Sequence, residues 1–410
     1  GQADADADTD SGVATPCLVQ RLRLRNFRNY GQLALDIRAP VIVLSGANGA
    51  GKTNLMEAIS FLSPGRGLRR AKLRDAQKSG TGDDNGNGNG EVDSWAVAAT
   101  VLTPGGVVGI GSSLATTEKG TDRRLARHDG QTVQPSSLAQ VIGVQWLTPR
   151  MDRLFQDGPA SRRRFLDRLV LGLDPDHGRR VGAYERSLRE RAKLLRDNHG
   201  NGGGGGNGQG GDPAWLSALE ARMAADGVAV AAARREALER LQRLLAETPG
   251  RFPKPGLAID GRLEGWLDEL PAVEVESRFA ALLADNRRRD GERGGTGEGP
   301  HRSDLVVRHL DKGQPAAICS TGEQKALLIS IILANARAEA QRRGAAPILL
   351  LDEITAHLDR RRREALFDEI LTLGGQAWLS GTDRDLFDGL SGPAQFVAVN
   401  GGNAVLEDSV

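Results

Sequence analysis

The chain has 410 residues, 39% hydrophobic and 26% charged, with a formal net charge of +1. That composition is globular and large enough for one sizeable core with an appendage. So small a net charge excludes a globally basic coat for nucleic acid and leaves such contacts to local patches. The two cysteines, Cys17 and Cys319, stand far apart in no metal-ligand spacing. This excludes a disulfide framework and fits the reducing cytoplasm. No run of eighteen apolar residues predicts a membrane span.

The opening "GQADADADTDSG" is acidic, without the apolar segment of a secretory signal, and predicts a disordered tail over 1–17. "LRLRNF" and "QLALDI" each alternate in polarity and predict a β-hairpin whose turn holds Asn29, Tyr30 and Gly31. "VIVLS" is a continuous apolar run suited to a strand buried on both faces. "TNLMEAISFLS" predicts a buried helix stopping near Pro64 and Gly65. "SWAVAATVLT" and "GVVGIGSSLA" predict further strands. From 160 the character turns helical: "SRRRFLDRLVLGL", "RVGAYERSLRERAKLLRD" and a long third helix over 213–247, about 50 Å at 1.5 Å per residue. After 300, helix and strand alternate again through "EQKALLISIILANARAEAQRR", "PILLLDE", "RRREALFDEILTL", "QAWLSG" and "QFVAVN". Three Gly/Asn-rich stretches, 79–91, 198–212 and 290–299, predict flexible surface insertions.

Three constellations carry chemistry. Gly46, Ala47, Asn48, Gly49, Ala50, Gly51, Lys52 and Thr53 match G-x-x-x-x-G-K-[ST] between an apolar strand and a helix, with Asn54 next in line. Such glycines let backbone N–H groups converge on phosphate oxygens, with Lys52 reaching the β- and γ-phosphates and Thr53 ligating Mg²⁺. In "ILLLDE" a buried strand ejects Asp352 and Glu353, the acid pair that a Mg²⁺ partner and a water-polarising base require. "STGEQK" opens the helix before that strand with Ser320, Thr321, Gly322, Glu323 and Gln324. Two readings fit it equally: an anion site at a helix N-terminus, or a capping box of Ser320 with Glu323.

The order of these elements resembles an ABC-type ATPase head. "LRLRNFRNY", "GANGAGKTNLMEAI", "GPASRRRFLDRL", "GPHRSDL" and "STGEQKALLISIILA" together resemble the RecF family over about residues 18–390. The resemblance implies an α/β fold, an ABC-type P-loop ATPase head with a mainly helical inserted lobe. The head would comprise 18–150 and 301–410, and the lobe 151–300. It implies ATP and Mg²⁺ as ligands, with Asp352 in the Walker B role and Glu353 as catalytic base. Gln145 would face Mg²⁺ or the attacking water as a Q-loop glutamine; a solvated glutamine is the other reading. Ser320 and Gly322, with the rest of 320–324, would act in trans across an ATP-dependent homodimer, and Asp359 in "TAHLD" would form the D-loop. DNA repair on double-stranded DNA, slow hydrolysis that releases it, and the mediator partners RecO and RecR are implied by the family. One departure stands out: "WLSGTDRDLF" carries Gly381, Thr382 and Asp383 where such ATPases often have a switch histidine.

Residues 160–197 hold 11 Arg or Lys against 6 Asp or Glu. Arg162, Arg163, Arg164, Arg179 and Arg180 are therefore candidates for neutralising duplex phosphates, against helix faces laced with ion pairs. Only Phe165 and Tyr184 are aromatic there, which disfavours base stacking on single strands. Arg28 stands beside the P-loop either as a phosphate contact or as a hairpin corner packed on the core. His301 reads as a hydrogen-bonded structural histidine, and His357 belongs to the D-loop by position. A transporter nucleotide-binding subunit needs a groove for a membrane partner, and a structural SMC-like protein needs far longer arms; both fit this chain less well.

Overall fold

The structure is a computed structural model that describes residues 16–78, 94–117, 120–200, 213–247, 251–390 and 392–407. Of the tail expected over 1–17, residues 1–15 lie outside the described residues, while Cys17 is buried rather than disordered; the 79–91 stretch lies outside them too, as does 201–212 of the 198–212 insertion, whose first three residues belong to a helix. The chain begins with β1 (Leu18–Phe27) and β2 (Tyr30–Asp36), then β3 (Val41–Ser45) and α1 (Lys52–Ser60). Next come β4 (Ala96–Thr103), β5 (Gly106–Thr116), β6 (Asp122–His128), β7 (Gln131–Val133), α2 (Leu138–Val141) and β8 (Val144–Leu147). A helical stretch follows: α3 (Pro159–Leu173), α4 (His177–Gly200) and α5 (Pro213–Glu247). After β9 (Pro255–Asp260) come α6 (Arg262–Glu269), α7 (Ala272–Asp285) and α8 (Arg287–Arg293), then β10 (Asp304–His309) and β11 (Gln314–Pro315). The chain closes with α9 (Thr321–Arg343), β12 (Ile348–Leu351), α10 (Arg360–Leu373), β13 (Ala377–Ser380), β14 (Ala394–Asn400) and β15 (Asn403–Leu406).

The central sheet has the order β15-β14-β3-β13-β12-β8. Its four pairings from β14 to β8 are all parallel, and β15 pairs antiparallel with β14. A parallel sheet must be covered on both faces, and "VIVL" shows how. Val41 and Val43 enter a core with α9 residues such as Leu327 and Ile331. Ile42 and Leu44 enter a second core with Leu55, Ile59 and the strands of an antiparallel sheet, order β2-β1-β4-β5-β6-β7. Gln376 stitches the two sheets: its Oε1 accepts from Val19 N and Trp378 Nε1, and its Nε2 donates to Val19 O, all at 3.0 Å. Cys17 lies in this second core, its thiol pushed up to about 11 by burial; both cysteines are free.

The expected helices at 159–173, 177–200 and 213–247 are present, but the region to 300 is not helical throughout. β9, β10 and β11 form a three-stranded antiparallel sheet, order β11-β10-β9. The helices α4 to α7 close around their own core of Tyr184, Met223, Val228, Leu263 and Phe279. Nor is 290–299 a flexible insertion. Arg191, fully buried, donates to Glu220 at 2.9 Å and to Asp290 and Thr296 at 2.8 Å, and Gly297 N donates to Asp290. These side chains need desolvated partners, so the glycines around them mark tight turns rather than disorder. Arg191→Ala leaves Asp290 buried without its cation and takes from Glu220 one of its two, Arg287 remaining. It is expected to cost about 3–5 kcal/mol of stability, read by urea unfolding, and a loss below about 1 kcal/mol would contradict the packing described.

Candidate nucleotide site

Parallel strands end on one edge, and ligands bind where loops leave that edge. β3 feeds the P-loop there, β12 ends at Leu351 ahead of Asp352 and Glu353, and β13 lies between them and ends at Ser380. Thr53 Oγ1 donates to Asp352 Oδ2 at 2.8 Å, and Ser380 Oγ donates to Asp352 Oδ1 at 2.7 Å. Ser380 Oγ also accepts from Glu353 N at 2.9 Å. Lys52, 6% exposed, has its ammonium pulled down by burial and back up by Glu353 and Asp352. Its Nζ donates to the carbonyls of Gly46 and Ala47, at 2.5 and 3.0 Å. Lys52, Thr53, Asp352 and Glu353 thus converge.

The loop geometry needs its glycines. Gly46, Gly49 and Gly51 have φ of 143°, 82° and 121°. A Cβ on Gly46 would lie 2.3 Å from Val399 O, and one on Gly51 would lie 2.5 Å from Asn29 Nδ2. Gly49 has open space around it. Among the described residues nothing packs within 4 Å of where its Cβ would stand, so its φ of 82° rather than crowding is what asks for glycine there. The hydroxyl of Thr53 and the carboxylate of Asp352 are hard oxygen donors of the kind Mg²⁺ takes. These residues fit a Mg²⁺–nucleotide.

Several expected residues are placed elsewhere. Gln145 lies inside β8, 5% exposed, and its Nε2 donates to buried Glu339 at 3.0 Å. In register with Leu349, it sits below the strand end rather than on the loop beyond it, so its side chain does not join the group above. Asn54 turns away from the loop face: its Nδ2 donates to Asn29 Oδ1 at 2.7 Å, and its Oδ1 accepts from Arg69 Nη1. Arg28 is the packed corner, not a phosphate contact. It donates twice to Glu57 at 2.8 Å, and Glu57 is fully buried. Gly381 cannot carry a larger side chain, since a Cβ would lie 2.6 Å from the Phe387 ring; Thr382 is exposed.

Ser320 is the N-cap of α9 and forms the capping box with Glu323, which in turn pairs with Lys312. The cap leaves Ser320 and Thr321 exposed and Gly322 half-exposed, while Gln324 is buried, its Nε2 donating to Cys319 O at 2.8 Å. Gln324 therefore shapes the turn from within. Asp359 is exposed and caps α10 by accepting from Arg362 N at 2.8 Å. His301 holds Tyr184 OH at 2.7 Å and Thr296 O at 3.0 Å, and burial lowers its pKa to about 4.

The basic segment is largely consumed inside the protein. Arg162 is bidentate to Asp304 at 2.8 and 2.7 Å, Arg163 donates to Ser303 O at 2.7 Å, and Arg180 pairs with Asp174. Arg179 pairs with Asp176 at the surface, a contact of little energy. Arg164 is exposed, and among the described residues its guanidinium bonds only Ser161.

Four supports had not been singled out. Asn29 Nδ2 donates to Ala50 O at 3.1 Å, and Tyr30 OH donates to Gly51 O at 3.0 Å, so the β1–β2 turn braces the P-loop from behind. Ser380 braces the acid pair. Lys325, 2% exposed, donates to Glu353 O at 3.0 Å and Ala356 O at 2.8 Å, holding the acid loop to the start of α9. Glu353 adopts a left-handed φ of 48°, and its peptide is gripped at both N–H and C=O. "NFRNY" and "STGEQK" had shown where to look for three of the four, and Ser380 ends an apolar strand.

The fold and this arrangement define an ABC/SMC-like ATPase head. Residues 18–378 match the model of the RecF/RecN/SMC N-terminal domain. A DNA replication and repair protein RecF of Rhizobium meliloti is 48% identical over 93% of this chain and 97% of its own length. The RecF of Brucella suis is 46% identical over 94% of this chain and 95% of its own. The chain belongs to the RecF family. Among solved structures, a recombination mediator protein RecF with ATP, of the RecFOR pathway, superposes with a TM-score of 0.79 at 19% identity, covering 97% of this chain and all of the other. An Smc head bound to the C-terminal winged-helix domain of ScpA follows at 0.51 and 14%, covering 95% and 96%.

Asn29→Ala removes both the Ala50 brace and the Asn54 partner. It is expected to cost about 1–3 kcal/mol in urea unfolding; no measurable loss would show that the turn does not brace the P-loop.

Proposed function

We propose that the chain is a RecF-type DNA replication and repair protein, an ATPase that dimerises with ATP on double-stranded DNA and is released by slow hydrolysis. The observation that carries this is the convergence of Lys52, Thr53, Asp352 and Glu353 on one sheet edge, with Ser320 and Thr321 exposed at the capped start of α9. Among the described residues no hydrogen bond or ion pair joins 320–324 to 46–54. One chain therefore supplies half of a site, and Ser320 and Gly322 serve the nucleotide held by a second copy, with Asp359 beside that contact.

In each half, the P-loop amides and Lys52 bind the β- and γ-phosphates, and Thr53 with Asp352 would hold Mg²⁺. Bound there, the ion neutralises charge on the phosphate oxygens. Glu353, gripped by Ser380 and Lys325, takes the proton of the attacking water. ATP thus acts as a timer: a site completed by dimerisation couples nucleotide state to residence on DNA. The RecFOR pathway named for the solved RecF supports RecO and RecR as partners, and gapped or junction regions of double-stranded DNA as the target belong to the same reading. The relatives named as RecF also fit a cytoplasmic setting. No helix among the described residues is long and apolar enough to cross a membrane. The division into a head of 18–150 and 301–410 with an inserted lobe belongs to the same reading.

Hydrolysis measured with and without linear duplex DNA tests the proposal. Turnover is expected to rise with duplex and to lose that rise as salt increases; turnover indifferent to DNA at every salt contradicts it. Ser320→Arg is expected to leave nucleotide affinity intact while abolishing dimerisation, read by calorimetry and light scattering. A lost affinity would place Ser320 on its own chain's nucleotide instead.

A further inference from the structure

Away from the P-loop, an open cavity of about 580 Å³ lies between the 63–70 loop, β8, α3 and the start of α4. None of residues 46–53 lines it. Its lining holds seven arginines against three carboxylates. Of the carboxylates, Asp167 is taken by Arg234 at 2.8 Å and His177 at 2.8 Å, and Glu339 by Gln145 and Arg343.

Four of the arginines, Arg66, Arg70, Arg164 and Arg168, form no ion pair among the described residues. Arg66, Arg70 and Arg164 are exposed, and Arg168 is half-buried, its guanidinium 4.5 Å over the Trp146 ring. They share one neighbourhood. Partial burial and then repulsion from Arg164 and Arg66 lower Arg70. Burial and then repulsion from Arg70 lower Arg168 to about 9. Arg70 also sits at a φ of 56°, which a non-glycine residue adopts at a cost. Glu185 and Asp167 offset only part of that repulsion at Arg70. Converging like charges with no carboxylate paired to them, held partly on strained backbone, disfavour the protein alone and favour an anion that bridges them.

We propose that Arg66, Arg70, Arg164 and Arg168 form a second phosphate-binding site, distinct from the P-loop, at the mouth of this cavity. Guanidinium forks match phosphate oxygens bidentately. The phosphate comes either from a DNA backbone or from a free polyphosphate such as a nucleotide's. The DNA source rests on the proposed function; the free source does not.

The test uses the full chain carrying Arg70→Gln with Arg164→Gln, both exposed positions, and Arg179→Gln as a surface control outside the cavity. One arm measures anisotropy of a labelled linear duplex in ATP and Mg²⁺ across salt. The other titrates tripolyphosphate into the Lys52→Met chain, with and without the two substitutions, so that the P-loop does not compete. The double variant is expected to bind one probe at least about tenfold more weakly near 0.1 M salt. If that probe is the duplex, its salt dependence should flatten by about two counterions. DNA-free ATP hydrolysis and the thermal midpoint should be unchanged. A loss in the duplex arm assigns the site to DNA, and a loss in the tripolyphosphate arm assigns it to free phosphates. Unchanged affinity in both arms, or an equal loss with Arg179→Gln, overturns the proposal. If the parent chain binds no duplex in any nucleotide state, the DNA reading fails by itself and the tripolyphosphate arm decides this one.

Discussion

The architecture of the site depends on one carboxylate. Asp352 accepts from Thr53 at the head of α1 and from Ser380 at the end of β13, so three neighbouring elements of the sheet edge meet at a single group. Remove either donor and the P-loop and the acid pair are no longer held in a common frame. A parallel sheet makes this possible because its strands all end on the same side, and the β3-β13-β12 order puts the serine strand between the phosphate strand and the acid strand.

Around that joint the protein spends polar side chains on rigidity. Asn29 and Tyr30 hold carbonyls of the P-loop, and Glu57, buried without exposure, is neutralised by Arg28 and Arg69. Lys325 ties the acid loop to the start of α9. In each protomer the segment that would hydrolyse its own nucleotide is thereby joined to the segment that would cover its partner's. On the proposed function, a change at one composite site would have a short route, Glu353 to Lys325 to α9, towards the other.

Much of this was legible in the residues. The apolar runs "VIVL" and "ILLL" are buried on both faces because a parallel sheet leaves no wet side, and the glycine spacing in 46–51 demands the backbone angles observed. Side-chain direction was not legible. Gln145 sits two residues inside β8 and meets Glu339, 194 residues away in sequence, a partner no local pattern announces. Asn54 follows the P-loop directly yet turns back to Asn29 and Arg69. The arginines of 162–180 look alike in sequence, but Asp304 and Ser303 come from a distant strand region to claim two of them. The small sheet of β9 to β11 was hidden because its strands are short and separated by three helices. In 290–299, Asp290 and Thr296 are ordered by Arg191 on α4, which turn composition alone does not reveal.

On the proposed function one chain carries half a site, and ATP completes it with a second copy. The most direct measurement is the solution mass of the Glu353→Gln chain by light scattering, with and without saturating ATP and Mg²⁺. The chain is expected to be a monomer without nucleotide and a stable dimer with it, because binding is kept while release is blocked. A chain that stays monomeric in saturating ATP and Mg²⁺ would contradict it.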